Sequence, residues 1–121
     1  MSQTIEEALN KLSYSKFRSS FHLGKKEKEY VLLKGYDEIE KQASTFIMNR
    51  IAPSVIENDG KQTPMKGHPV FIAQHACACC CRGCLNKWYK VKKNIPLTQD
   101  QQDKIVHLLM ARIKKEMNHS S

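Results

Sequence analysis

The chain of 121 residues is 40% hydrophobic and 26% charged, and its 20 Lys+Arg against 12 Asp+Glu give a formal net charge of +8. That size and balance fit one compact globular domain and exclude two independent ones, each of which would be marginal. No apolar run reaches the ~18 residues of a membrane span. The opening MSQTIEEALNKL carries acids where a secretory leader would carry a basic flank, so a cytoplasmic protein is expected.

Ile5, Ala8, Leu9 and Leu12 follow the i, i+3, i+4, i+7 rule and predict a short amphipathic helix, read as an N-terminal extension over 1–16. The main domain is expected over 17–121, beginning with an apolar connector of Phe17, Phe21 and Leu23 that ends at Gly24. Residues 25–34 predict a helix stopped by Gly35. Asp37 with Glu40 forms a capping-box pattern, and Ile39, Ala43, Phe46, Ile47 and Ile51 give a core-facing stripe up to Pro53. Asn58-Asp59-Gly60 opens a loop to Gly67, and Pro69 suits the first turn of the next helix. Thr98 with Gln101 makes a second capping box before a last helix over about 99–117, striped by Ile105, Leu108, Leu109, Ile113 and Met117. The expected fold is all-α, a compact single-domain bundle of four to five helices, with a minor strand pair around 17–23 or 52–57 as its only β alternative.

The charge is unevenly placed. Residues 1–59 balance nine bases with nine acids, whereas 60–99 hold Lys61, Lys66, Arg82, Lys87, Lys90, Lys92 and Lys93 with no Asp or Glu. A patch of one sign attracts nucleic acid, another polyanion or an acidic protein, unless it is simply a solvated face. Within it, Lys87-Trp88-Tyr89-Lys90 interleaves aromatics with bases, a pairing that stacks bases while neutralising phosphate. Helical phase turns Trp88 inward and leaves Tyr89 outside, so the expected contacts are Arg82, Lys87, Tyr89, Lys90, Lys92 and Lys93.

The same segment holds all five cysteines, Cys77, Cys79, Cys80, Cys81 and Cys84, with His68 and His75 just upstream. Cys81 and Cys84 have the two-residue spacing that lets two thiolates share one metal, and an imidazole can add a ligand. An odd number of cysteines argues against a disulfide framework. Two other readings stand beside the metal site. An unbroken helix over 69–89 would put Val70, Ala73, Cys77, Cys80, Cys81, Cys84 and Trp88 on one face, a core stripe in which thiols act as small hydrophobes. Basic surroundings would alternatively make a reactive thiol. On that unbroken helix His68 and His75 face away from the cysteines, so a mixed site needs a break, at Gly83 or within Ala76–Cys79.

An enzyme is the competing reading. The loop holding Asp59 and Lys61 lies close in sequence to His68 and His75, which suits acid–base chemistry on a phosphorylated or nucleotide substrate, with Arg82 as anion holder. No Walker or dinucleotide fingerprint accompanies it.

FRSSFHLG (17–24), NDGKQTP (58–64), GHPVFIAQHA (67–76), CCRGCLNKW (80–88) and IPLT (95–98) resemble a family of small bacterial and phage proteins known as a domain of unknown function. The resemblance covers about residues 17–117. It implies a single compact domain whose signature centres on His68, His75, Cys80, Cys81, Arg82 and Cys84, and it implies no activity. The chain departs from the family at Cys77 and Cys79, where hydroxyl residues such as threonine are expected, which shifts weight to Cys80, Cys81 and Cys84. The leading expectation is therefore a non-catalytic domain binding zinc, or else iron, through Cys80, Cys81 and Cys84 with His75 or His68, and carrying a basic face. A phage or host regulatory module that binds an acidic protein is the third reading.

Overall fold

A computed structural model describes residues 3–118, so the outermost residues of the expected spans 1–16 and 17–121 lie outside the described residues. Among the described residues seven α-helices appear, more than the four to five expected. They are α1 (Ile5–Ser13), α2 (Lys16–Ser19), α3 (Lys25–Lys34), α4 (Tyr36–Phe46), α5 (Pro69–Ala76), α6 (Arg82–Tyr89) and α7 (Gln99–Asn118). A π-helical turn, Ile47–Ile51, prolongs α4. Among the described residues there is no strand, and no helix is long and apolar enough to cross a membrane.

The elements follow from local chemistry. Thr4 and Glu7 cap α1 reciprocally, each side chain accepting from the other's backbone N–H at 3.1 Å. The expected connector after it contains the single turn α2, capped by Ser15. Gly35 joins α3 to α4 alone, at a positive φ of 84° that favours glycine. Because Gly35 already serves as N-cap, the expected Asp37–Glu40 box does not form. Asp37 and Glu38 lie instead in the first turn, where the helix dipole favours acids. The Thr98–Gln101 box at the start of α7 does form, with bonds of 2.9 and 3.1 Å.

Helix α5 is buried on nearly every side and packs against α2, α3, α4 and α7. Ile39 and Ile47 meet Ile105, Leu109 and Ile113 of α7 in one fully buried cluster, each side chain contributing about 1.5–3 kcal/mol by its burial. Helix α1, set apart in the sequence as an extension, lays Ala8 and Leu12 into that same cluster.

Glu116 fastens α7 to the segment between α2 and α3. Its carboxylate accepts from the Leu23 N–H at 3.0 Å, meets His22 Nδ1 at 3.1 Å and lies 3.4 Å from Arg112. Burial pushes its pKa up, but the hydrogen bonds from His22 and Leu23 and the charge of Arg112 outweigh it and hold the group below its ordinary value of 4.5. A carboxylate depressed by folding stabilises above its unfolded pKa and loses that contribution as pH falls through the folded one. Glu116→Gln is therefore expected to cost about 1–2 kcal/mol at neutral pH. In urea melts its deficit against the native chain should shrink as pH is lowered below 4.5. A deficit independent of pH would contradict this assignment.

Candidate metal centre

The segment between α5 and α6 breaks the helix and gathers the thiols. Cys77 ends α5, and Ala78 takes a left-handed φ of 58° that alanine rarely adopts. The turn is secured by Cys79 N–H donating to Gln74 O at 2.8 Å. Tyr89 OH donates to Cys77 O, and Thr63 Oγ1 donates to Cys80 O at 2.9 Å. The unbroken helix over 69–89 is thus corrected to two helices. The break falls at Cys77–Cys81, while Gly83 lies inside α6.

Cys81 becomes the N-cap of α6, its Sγ accepting from Cys84 N–H at 3.3 Å. The other free N–H groups of that turn go to the 58–64 loop. Asp59 accepts from Arg82 N–H at 3.0 Å and from Gly83 N–H at 2.9 Å. A side chain on Gly83 would put its Cβ 3.2 Å from the Asp59 carboxylate, which would have to give by a few tenths of an ångström. Burial raises the Asp59 pKa, but the Gln62 and backbone bonds and nearby Lys93 bring it below the ordinary 3.8.

The two-residue spacing and this cap bring three sulfurs together. Ligand atoms of Cys80, Cys81 and Cys84 all lie within 4.8 Å of one another. Cys80 and Cys84 Sγ are 3.6 Å apart. Three thiolates in such a group can hold one metal ion. Arg18 of α2 completes the surroundings, donating to His75 O at 2.8 Å, Cys84 Sγ at 3.1 Å and Cys80 Sγ at 3.6 Å. Arg18 is buried and makes no ion pair with a carboxylate among the described residues. The hydrogen bond from Cys84, opposed by burial and helped by Arg18, brings Cys80 down to about 7. Cys84, which donates that bond and is itself partly buried, is pushed up. The pair therefore releases its first proton readily, as metal binding requires. Cys81 is raised, chiefly by burial.

Cys77 and Cys79 do otherwise. Both are fully buried among aliphatic side chains, and burial pushes Cys77 up to about 12 and raises Cys79 as well. Of the expected core stripe's cysteines only Cys77 is a plain core side chain, Cys79 joins it there although the stripe did not include it, and Cys80, Cys81 and Cys84 form the cluster.

The structure does not bring the histidines into the group. His68 caps α5, its Nδ1 accepting from Val70 N–H at 3.0 Å, so its Nε2–H donates to Gln42 Oε1 at 2.7 Å. Burial lowers its pKa, which keeps the ring neutral among Tyr30, Phe46 and Phe71. His75 stacks on Phe21 with ring centroids 5.2 Å apart, and its Nε2–H is shared between Thr63 O and Pro64 O, both at 3.1 Å.

Of the candidate catalytic set, all but Lys61 are likewise spent on the fold. Arg82, expected to hold an anion, is 4% exposed and instead gathers backbone carbonyls. It donates to Pro53 O at 2.9 Å, Lys92 O at 2.7 Å and Ile95 O at 2.6 Å, with Ile51 O and Ala52 O at 3.3 and 3.4 Å. Asp59 is a helix cap, and Lys61 is exposed. Tyr89, expected outside, is buried, while Trp88 is half-buried against the core. This takes Arg82 and Tyr89 out of the basic face and leaves Lys61, Lys66, Lys87, Lys90, Lys92 and Lys93 exposed. Arg18, which sequence spacing did not single out, carried one faint signal, its place in the FRSSFHLG stretch.

No solved structure matches the chain. Residues 6–114 match a family described as a domain of unknown function, DUF4186, and the match takes in α1 as well as the segments singled out from the sequence. Since it spans nearly the whole described fold, the chain belongs to the DUF4186 family.

Proposed function

We propose that this domain binds one zinc ion through Cys80, Cys81 and Cys84. The observation that carries the reading is the mutual approach of three sulfurs within 4.8 Å, on a turn that α5 and α6 hold from both sides. Charge supports it. Zinc with three thiolates carries one net negative charge, and the buried Arg18 guanidinium beside Cys80 and Cys84 offsets it. Tetrahedral zinc on three protein ligands keeps a fourth position for solvent or an outside donor. Protein purified without chelator should carry close to one zinc per chain; metal-free protein with all five thiols titratable would end the proposal.

The six exposed lysines between residues 60 and 99, with no acid among them, support a second part of the reading. They offer their charge to a polyanion, nucleic acid being the chemistry that such a charge run meets most directly. Neutralising about four phosphates predicts an affinity loss of about a hundredfold between about 50 and about 200 mM salt. Reversing Lys90, Lys92 and Lys93 to glutamate should flatten that slope in fluorescence anisotropy. Absence of binding at low salt would remove the polyanion.

A further inference from the structure

A cavity of about 400 Å³ opens between α1, α2, α3, α7 and the end of α5, with Arg18 in its lining. Its volume is that of a small-molecule site. Leu9, Leu12, Leu23 and Ala76 give it an apolar wall. Four cationic side chains also line it, Arg18, Lys28, Arg112 and Lys115, against Glu116 as the only carboxylate among the described residues. That carboxylate, engaged by His22, Leu23 N–H and Arg112, offsets Arg112, and Arg18 already donates to His75 O and the two thiols, so Lys28 and Lys115 carry the cavity's uncommitted charge. Lys28 and Lys115 pair with no carboxylate among the described residues.

We propose that the cavity binds a small organic anion, a carboxylate or phosphate head on an aliphatic body. Positive charge in a partly enclosed site attracts the head, and the ammonium groups of Lys28 and Lys115 suit either group. The leucine wall distinguishes such a ligand from a bare inorganic anion, which would leave that surface wet. Arg18 ties the cavity to the cysteines, because one guanidinium both lines it and donates to Cys80 and Cys84. A ligand that draws on Arg18 therefore alters the thiols, and by linkage the state of the thiols alters the ligand's affinity. The site itself requires no metal, so it stands or falls apart from the zinc reading.

Calorimetry and amide NMR on the full chain test it with four probes: octanoate, octyl phosphate, inorganic phosphate and 1-octanol. Both octyl anions, or at least the one whose head group fits, should bind about tenfold or more tightly than inorganic phosphate and octanol. Shifts should centre on Leu12, Leu23, Ala76 and Arg112. Whichever octyl anion binds better identifies the head group. The double variant Lys28→Glu/Lys115→Glu changes no core side chain, and its fold is checked by its urea midpoint. It should bind the octyl anions about tenfold more weakly, with octanol unaffected. The proposal is overturned if neither octyl anion binds, if inorganic phosphate or octanol binds as tightly, or if the double reversal leaves anion binding unchanged.

Discussion

Arg82→Ala is expected to destabilise the fold by about 3 kcal/mol or more. The guanidinium is the common donor to carbonyls from two separate stretches, Ile51–Pro53 after α4 and Lys92–Ile95 after α6. Truncation would strand several of these acceptors and open a void at the start of α6. Arg82→Lys should recover little, since one ammonium cannot span both stretches as the planar fork does. Urea unfolding should show a lower midpoint at unchanged slope. A loss under about 1 kcal/mol, the ordinary cost of a surface substitution, would contradict the clamp. Such a result would return Arg82 to the anion-holding role that its charge alone suggests.

The second large effect concerns metal removal. Chelation of zinc-loaded protein should lower its stability by about 4 kcal/mol where free zinc had stood at a thousandfold its dissociation constant. Cys80→Ser, Cys81→Ser and Cys84→Ser should each abolish most of that response, because each removes one of three thiolates. Cys77→Ala and Cys79→Ala should behave differently. Those thiols are buried and held protonated, so their loss costs packing while the zinc stoichiometry stays at one. Thermal melts with and without chelator separate the two groups of variants. A chelator effect that survives Cys84→Ser would place the ion elsewhere.

The parts of this fold that were legible in the sequence are those decided locally. The stripe of α7 and its Thr98–Gln101 box need only neighbours within one or two turns, and both form. The turn at Ala78 needs more, because nothing near an alanine signals a left-handed φ without glycine or proline. It is fixed from outside by Tyr89, Thr63 and Gln74. That single break explains the misplaced side chains of α6. The helix restarts from its own cap at Cys81, its phase is reset, and Arg82, Leu85 and Tyr89 become the buried stripe. The three-cysteine group was legible from spacing joined to the family resemblance. The histidines were not, since a ring can cap a helix start, as His68 does, or donate to loop carbonyls, as His75 does, as readily as bind metal. Arg18 was out of reach of local reading, its partners lying 57 to 66 residues away along the chain.

X-ray absorption at the zinc edge of the loaded protein tests the central claim most directly. Three thiolates with one outside ligand predict three sulfurs at about 2.3 Å and one oxygen or nitrogen at about 2.0 Å. The Cys84→Ser variant should lose this signature. A shell of two sulfurs and two imidazole nitrogens would bring His68 and His75 back as ligands, and a zinc coordinated only by oxygen would contradict the cysteine centre altogether.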